Sequence, residues 1–227
     1  MTAPADISSL LGARYAAVRA RIARAGAHDV TVIAVTKALG SWAVDAAAAC
    51  GIGDIGENYA QECVAKLAEV TAVPGPRVHF IGRVQRNKVK MLAGCVDVWQ
   101  TVDRPEVARE IAYRSPGAQV MIQVNITGDD TKGGCPSSET ERLASVVTGA
   151  GLSLVGLMGI GPQGPPEHAR SSFRALRRMV DSLGVAHCSM GMTDDLEVAV
   201  AEGATMVRIG RSLFGERPRR GVLSVPQ

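Results

Sequence analysis

The sequence lacks a basic tract of the kind that binds nucleic acid. Its 227 residues carry a formal net charge of +3, and the charged side chains are spread along the whole chain. That distribution argues against nucleic acid as the main ligand. The densest basic run, residues 217–220, lies at the C-terminus, where we interpret it as a solvated tail.

Cysteine and histidine are too scattered to build a disulfide framework or a metal site. The five cysteines are odd in number and include no C-x-x-C pair, which excludes a disulfide scaffold and a zinc site of the usual spacing. The four histidines show no i, i+4 pairing. We therefore predict reduced thiols and no bound metal.

The sequence also lacks a long apolar run. No window approaches the roughly 18 to 20 uninterrupted apolar residues of a membrane span, and residues 1–11 lack the basic and apolar segments of a secretion signal. We predict a soluble cytoplasmic protein without a membrane partner, and we expect a monomer.

What the sequence does contain is an alternation of strand and helix patterns. Apolar residues recur at helical spacing over residues 6–25, ahead of any strand. Strands are predicted at 30–36, 54–57, 78–82, 96–101, 119–126, 152–159, 187–190 and 205–210. The clearest helices between them are predicted at 42–50, 60–70, 105–115, 137–150, 166–183 and 194–202.

Eight strands separated by helices indicate parallel βαβ units, and the number eight favours closure into a (β/α)₈ barrel. The length of 227 residues permits such a barrel, and no Pro/Ser-rich linker divides the pattern. We therefore predict an α/β fold with one domain over residues 1–227: a TIM barrel with an extra N-terminal helix.

Lys37 is the first candidate for chemistry, because functional residues of such barrels follow the C-terminal ends of the strands. It ends the apolar run Val-Ile-Ala-Val-Thr. Partial desolvation there would lower the pKa of its amine and favour attack on a carbonyl carbon to form a Schiff base. A solvated strand terminus is the alternative interpretation.

The last two βα units resemble a phosphate-binding cradle. Residues 187–193 lead from a strand through a glycine turn to Thr193, which we predict to be the N-cap of the next helix. Residues 206–212 follow one unit later, with Gly210 allowing close backbone approach and a short helix predicted after it. Barrels often bind phosphate at these two loops, although well-capped helices would give the same pattern.

Arg208 shares the mouth-facing side of its strand with Gly210, because side chains alternate along a strand. A guanidinium only donates hydrogen bonds, so an arginine facing a pyridine nitrogen would keep that nitrogen unprotonated. Such a ring is a weak electron sink. A salt bridge that tethers the last strand is the alternative.

Several strings, in order and at matching spacing, closely resemble the YggS/PROSC family of pyridoxal 5'-phosphate (PLP) homeostasis proteins. They are AVTK at 34–37, IGENY at 55–59, HFIG at 79–82, QRNK at 85–88, GLM at 156–158, SMGMTDD at 189–195 and MVRIG at 206–210. The resemblance covers nearly the whole chain. It implies a fold-type III PLP barrel, like the N-terminal domain of alanine racemase.

The resemblance also implies roles for individual residues. The lysine that binds PLP corresponds to Lys37, and the arginine at the pyridine nitrogen corresponds to Arg208. Phosphate contacts correspond to Ser189, Gly210 and the backbone of Arg211. Asn58, His79 and Met158 correspond to positions that line the cofactor, although from its place inside a strand His79 could equally be a hydrogen-bonded core residue.

This chain departs from the family pattern at two positions. Arg211 stands where many relatives have a small hydroxyl residue, so a side-chain contact to phosphate is lost, and Arg83 stands where many have proline. Both departures bear on the affinity for PLP. Lys132, in a glycine-rich loop, matches a lysine that recurs in the family and is a candidate contact during loading or release.

The resemblance favours a protein that binds, stores and delivers PLP to apo-enzymes and is not itself an enzyme. The main alternative is a PLP-dependent amino-acid racemase. Racemisation needs acid/base groups on both faces of the substrate carbon, and we expect none here, because the sequence ends soon after Phe214, without a C-terminal β-domain, and only Tyr59 lies near the mouth. A lyase or aldolase that uses Lys37 without PLP is a third interpretation.

Overall fold

The structure, a computed structural model, describes residues 4–216, with side chains from residue 7 onward except at 130. Within this range eight parallel strands close into a barrel. The described residues contain nine strands: β1 (Thr31–Val35), β2 (Asp54–Glu57), β3 (Arg77–Phe80), β4 (Val98–Val102), β5 (Gln119–Asn125), β6 (Cys135–Pro136), β7 (Ser153–Gly159), β8 (His187–Ser189) and β9 (Met206–Ile209). The two-residue strand β6 pairs with the end of β5 and is not one of the eight.

The pairing order shows the closure. Around the barrel the strands run β1-β2-β3-β4-β5-β7-β8-β9, and β9 pairs in parallel with β1. All strand C-termini therefore lie at one end of the barrel, which we call the mouth.

Helices cover the outside of the barrel. They are α1 (Pro4–Arg24), α2 (Trp42–Ala49), α3 (Ala60–Leu67), α4 (Val89–Leu92), α5 (Pro105–Arg114), α6 (Thr140–Gly149), α7 (Arg170–Leu183), α8 (Leu196–Ala201) and α9 (Arg211–Phe214). The N-terminal helix α1 packs against α2, α8 and α9. In the described residues no helix is both long and apolar enough to cross a membrane.

The predicted barrel with an extra N-terminal helix is confirmed. Each predicted strand exists, with ends that differ by at most two residues from the observed ones. The short helix predicted after Gly210 is also present. Helix α4, preceded by a 3₁₀ turn at Arg86–Lys88, was not among the predicted helices, and the predicted tail at 217–220 lies outside the described residues.

Most of the core lies between the strands and the helices, and a small second cluster fills the barrel interior. Ile33, Val98, Met121 and Met206, from four different strands, form that interior cluster. Alternation along β9 places Arg208 and Gly210 on the same inward side as Met206, progressively nearer the mouth. Apolar side chains thus fill the middle of the barrel, and functional side chains gather where its strands end.

Candidate functional site

A cavity of about 280 Å³ opens at the mouth of the barrel, close to the lower end of the range of about 300–1,000 Å³ usual for small-molecule sites. Its walls come from residues that end or follow six of the eight barrel strands. The lining residues are Val35, Lys37, Asn58, Ile81, Met158, Ile160, Met192, Thr193, Asp194, Arg208, Gly210 and Arg211.

Lys37 lies two residues beyond the end of β1 and lines the cavity, half-buried. Ile33 and Val35 precede it on the same side of the strand, so the alternation that buries Ile33 also directs Lys37 to the mouth. The structure therefore places this lysine where the sequence analysis predicted it.

Arg208 is almost fully buried, with 5% of its surface exposed. Its guanidinium donates to Ser189 Oγ and to the carbonyl of Gly159, each at 2.8 Å, and it forms no salt bridge within the described residues. Burial lowers the pKa of Arg208 to about 10, which still leaves a cation at neutral pH. The tethering salt bridge considered above is thus not present, and hydrogen bonds to neutral groups hold the guanidinium beside the cavity.

A chain of hydrogen bonds continues from Arg208 into the barrel. Ser189 Oγ donates to Gln100 Oε1 at 2.7 Å, and the Gln100 amide nitrogen lies 2.8 Å from His79 Nδ1. His79 Nε2 lies 2.8 Å from a carboxylate oxygen of Asp54, at the start of β2. We call these five residues, Asp54, His79, Gln100, Ser189 and Arg208, the interior chain.

The interior chain changes the interpretation of two predicted cofactor contacts. His79 and Ser189 are fully buried, and neither lines the cavity. The structure therefore does not bring them to the position predicted from the sequence. Both point into the barrel, but they lie deeper than the mouth, and their polar atoms bind other members of the chain.

Asn58 follows β2 and lines the cavity with an unsatisfied polar atom. Its Oδ1 is buried and has no hydrogen-bond partner in the described part of the chain. Gly82, after β3, makes this placement possible, because a Cβ added there would lie 1.9 Å from the carbonyl oxygen of Asn58. A buried amide oxygen without a partner is costly unless a ligand satisfies it.

The loops after β8 and β9 form another part of the wall. Gly210 and Arg211 both line the cavity, but the Arg211 guanidinium is 52% exposed and pairs with the carboxylate of Asp194. The Arg211 side chain thus does not replace the hydroxyl group that many relatives of the family carry at this position. Thr193 Oγ1 lies 3.4 Å from the amide nitrogen of Ser212 and joins the two loops.

The prediction that Thr193 caps the next helix is wrong. Helix α8 begins at Leu196, and Asp195 precedes it. The carboxylate of Asp195 accepts a hydrogen bond from the backbone N–H of Met192 at 2.6 Å, which turns the chain before the helix begins.

Further apolar and charged residues around the site were not predicted from the sequence. Val35, Ile81, Ile160 and Met192 form apolar parts of the wall. Strand alternation was the signal available for the first two, because Val35 alternates with Ile33 and Lys37 at the end of β1, and Ile81 alternates with His79 one residue past β3. Lys66, buried beneath the Lys37 loop, was also missed, and its only signal is a lysine three residues after the buried Cys63 on the inner side of α3.

Met158 lines the cavity as predicted, whereas Arg83 is exposed and does not. Lys132 lies in a neighbouring cavity that shares Ile160, Met192 and Asp194 with the first, and its ammonium donates to the carbonyl of Gly161.

A larger surface depression, of about 570 Å³, lies elsewhere on the molecule. Glu110 forms exposed salt bridges there with Arg86 and Arg114. None of its lining residues ends β1, β8 or β9. We therefore assign the candidate site to the smaller cavity at the mouth, which Lys37, Asn58 and Arg208 line.

The donor set of the mouth cavity fits PLP. Among the lining residues Lys37, Arg208 and Arg211 are cationic, and Asp194 is the one carboxylate, which suits an anionic phosphate ester. The lysine supplies an amine for the aldehyde, and Oδ1 of Asn58, which no described residue satisfies, supplies a polar contact. Apolar side chains supply surfaces for an aromatic ring.

Comparison with known proteins agrees with this chemistry. The sequence profile described as "Alanine racemase, N-terminal domain" matches residues 11–218, which defines a barrel of that type. A protein of Pseudomonas aeruginosa named "Pyridoxal phosphate homeostasis protein" is 39% identical over 92% of this chain and 96% of its own length. Proteins of the same name from Aquifex aeolicus and Escherichia coli K12 are 42% and 35% identical over 74% and 84% of this chain and 78% and 87% of their own lengths.

This chain belongs to the family of pyridoxal phosphate homeostasis proteins, as its resemblance indicated. Among solved structures, PipY of Synechococcus elongatus, described with PLP bound, matches with a TM-score of 0.77 and 29% identity over 90% of this chain and all of PipY. Alanine racemase of Clostridium difficile matches with a TM-score of 0.69 and 15% identity over 90% of this chain and 60% of its own, and this likeness shows the fold alone.

Proposed function

We propose that this protein binds PLP in the mouth cavity, covalently through Lys37, and acts as a PLP carrier. The observation that carries the proposal is the convergence on one small cavity of Lys37, the buried cation Arg208 and the Asn58 oxygen that no described residue satisfies. The names of the relatives and the PLP-bound PipY neighbour support it.

Each part of the cavity has a role in holding the cofactor. Lys37 provides the amine, and Arg208 donates toward the ring nitrogen. The backbone at Gly210 and Arg211 receives the phosphate, while Met158 packs against the ring. When bound, PLP supplies an aldehyde that condenses with an amine and a ring that withdraws electrons from attached amino acids.

The cavity supports a carrier better than an enzyme. Since a guanidinium only donates hydrogen bonds, an Arg208 that held the ring nitrogen would keep that nitrogen unprotonated and would weaken electron withdrawal by the ring. Among the lining residues, the one candidate for a second acid/base group beside Lys37 is Asp194, which is 71% exposed and paired with Arg211. Racemisation needs a second group on the opposite face of the substrate carbon.

A spectroscopic titration tests PLP binding. Purified protein mixed with PLP should give a visible absorption band that is lost on borohydride reduction, and Lys37→Ala should not give it. Lys132→Ala is the matched control and should retain the band. Absence of the band in the wild-type protein would favour the third interpretation, a lyase or aldolase that works without PLP.

A turnover assay tests the carrier role. Loaded protein is incubated with a panel of L- and D-amino acids, and products are followed by chiral chromatography and keto-acid assay. We expect turnover far below the range of about 1 to 10³ per second usual for enzymes, because a missing acid/base partner removes about 10² to 10⁴ of rate. Enzymatic turnover that disappears in Lys37→Ala would establish the racemase alternative.

Delivery is the remaining part of the proposal. We expect a cytoplasmic monomer that passes PLP to apo-enzymes, and reactivation of an apo-enzyme by loaded protein measures this. Loaded protein should reactivate the enzyme in the presence of a scavenger that removes free PLP, and free PLP at equal concentration is the control. Delivery would be contradicted by the following pair of results. Loaded protein and free PLP reactivate the enzyme equally without the scavenger, and neither of them reactivates it when the scavenger is present.

A further inference from the structure

A group of buried charges lies directly beneath the loop that carries Lys37. Lys66 of α3 has only 4% of its surface exposed. Its Nζ lies 2.6 Å from Glu57 Oε1 and 3.0 Å from Glu62 Oε1. The third contact of the ammonium is the carbonyl oxygen of Thr36, at 2.6 Å.

These contacts hold the two peptide groups on either side of Lys37. Lys66 donates to the carbonyl of Thr36, which belongs to the peptide before Lys37. Glu62, one helical turn away on α3, accepts the backbone N–H of Ala38, which belongs to the peptide after Lys37. The main chain of Lys37 is therefore held from both sides by one helix.

Further bonds from Thr36 attach the same loop to β2. Its side-chain hydroxyl donates to Glu57 Oε1 at 2.6 Å, and its backbone N–H donates to the carbonyl of Gly56 at 3.0 Å. Glu57 immediately precedes Asn58, the residue whose amide lines the cavity. The buried charges thus also connect the position of Lys37 to that of Asn58.

The conformation of Ala38 shows that the loop needs to be held. Its φ of 60° lies in the left-handed region and makes it the one non-glycine residue with positive φ in the described chain. An alanine adopts that conformation at a cost. The hydrogen bond from its N–H to Glu62 is available to offset the cost.

Stability alone gives little reason to bury these charges. A buried ion pair is often no more stabilising than apolar residues of similar volume. Glu57 is fully buried with one oxygen that has no hydrogen-bond partner among residues 4–216, and burial raises its pKa, against the opposing effect of Lys66. The arrangement does, however, fix the backbone at one residue, and that residue is Lys37.

We propose that Glu57, Lys66 and Glu62 are positioning residues that hold the backbone of Lys37 so that its amine is presented to the mouth cavity. The proposal rests on the proposed function, because it assigns the PLP linkage to Lys37. It concerns the rate and affinity of PLP attachment, and it adds no residue to the cavity wall.

Glu62 is the residue to change, since Lys66→Met would leave the buried Glu57 carboxylate without its cation and endanger folding. The Glu62 side chain is 28% exposed. Glu62→Ala removes the acceptor for Ala38, whereas Glu62→Gln keeps an oxygen at that place. Glu106→Ala is the matched control, because Glu106 is an exposed carboxylate in the first turn of α5, away from the Lys37 loop.

The first readout is the attachment of PLP, which is monitored through the visible absorption band. We expect Glu62→Ala to weaken the affinity about tenfold, the size of effect for one lost hydrogen bond to a charged group, and to slow attachment. Glu62→Gln should recover most of the loss, and Glu106→Ala should match the wild type. Equal affinities and rates in Glu62→Ala and wild type would overturn the proposal.

The second readout needs no PLP. Hydrogen exchange of the cofactor-free protein should show faster exchange at the amide of Ala38 in Glu62→Ala than in Glu62→Gln. Unchanged exchange there would also overturn the proposal. If instead the wild-type protein formed no visible band while exchange at Ala38 still responded to Glu62→Ala, the proposed function would fail, and the proposal, which rests on it, would be overturned with it.

Discussion

The polar side chains in the interior of the barrel differ from those at its mouth in how fully their hydrogen bonds are satisfied. In the interior, His79, Gln100 and Ser189 bind one another, and each has a partner on either side. At the mouth, Asn58 has a buried oxygen that no described residue satisfies, and the buried cation of Arg208 forms no salt bridge within the described part of the chain. The satisfied groups are those expected of structure, and the unsatisfied ones are those expected of a binding site.

Arg208 belongs to both regions. Ser189 and the carbonyl of Gly159 fix one side of its guanidinium, while the residue also lines the cavity. The interior chain therefore ends in a donor that is held in place before any ligand arrives. Such preorganisation reduces the entropy lost on binding.

Replacing Arg208 should have the largest effect, because it removes the donor that joins the two regions. We expect Arg208→Met to cost about 1.5–3 kcal/mol of PLP binding free energy, or tenfold or more in affinity. Titration of the visible band measures it. Arg178→Met, at an exposed arginine of α7, should bind like the wild type, and equal binding by both variants would remove Arg208 from the site.

Replacing His79 should separate stability from binding. His79→Leu leaves the buried amide of Gln100 without one partner, and we expect a loss of about 1–3 kcal/mol in the free energy of unfolding. The affinity for PLP should change by less than about twofold, since His79 does not line the cavity. Urea unfolding and PLP titration measure the two quantities, with the exposed His28→Leu as control.

If His79→Leu lost as much PLP binding free energy as stability, the distinction between the interior chain and the mouth would be contradicted. That result would return His79 to the role first predicted for it, among the residues that line the cofactor.

Replacing Gly210 should have the smallest effect, and, in contrast to His79→Leu, it should affect PLP binding more than stability. Its φ of −113° is open to any residue, so valine should be tolerated by the backbone while its branched side chain obstructs phosphate. We expect Gly210→Val to weaken PLP binding by about 1 kcal/mol and to change unfolding less. Unchanged affinity in a folded Gly210→Val protein would contradict the phosphate assignment.

The sequence predicts much of this arrangement for a definite physical reason. In a parallel barrel all strand C-termini meet at one end, so finding the strands is enough to gather Lys37, Asn58, Met158, Arg208 and Gly210 around one cavity. Apolar runs rich in Val and Ile identify those strands.

Depth along the barrel axis could not be predicted in the same way. Alternation tells which side of a strand a residue faces, but the stagger between neighbouring strands decides its height in the barrel. His79 and Ser189 face inward as expected and lie too deep to line the cavity. Lys66 could not be recognised because its partners Glu57 and Thr36 come from other elements.

Peptide mapping after borohydride reduction shows which lysine carries PLP. Wild-type protein loaded with PLP is reduced, digested and analysed by mass spectrometry, with Lys37→Ala treated in parallel. The account predicts the pyridoxyl group on the peptide that contains Lys37 and its absence from the variant. A group found mainly on Lys132 or Lys88, and equally in both proteins, would contradict it.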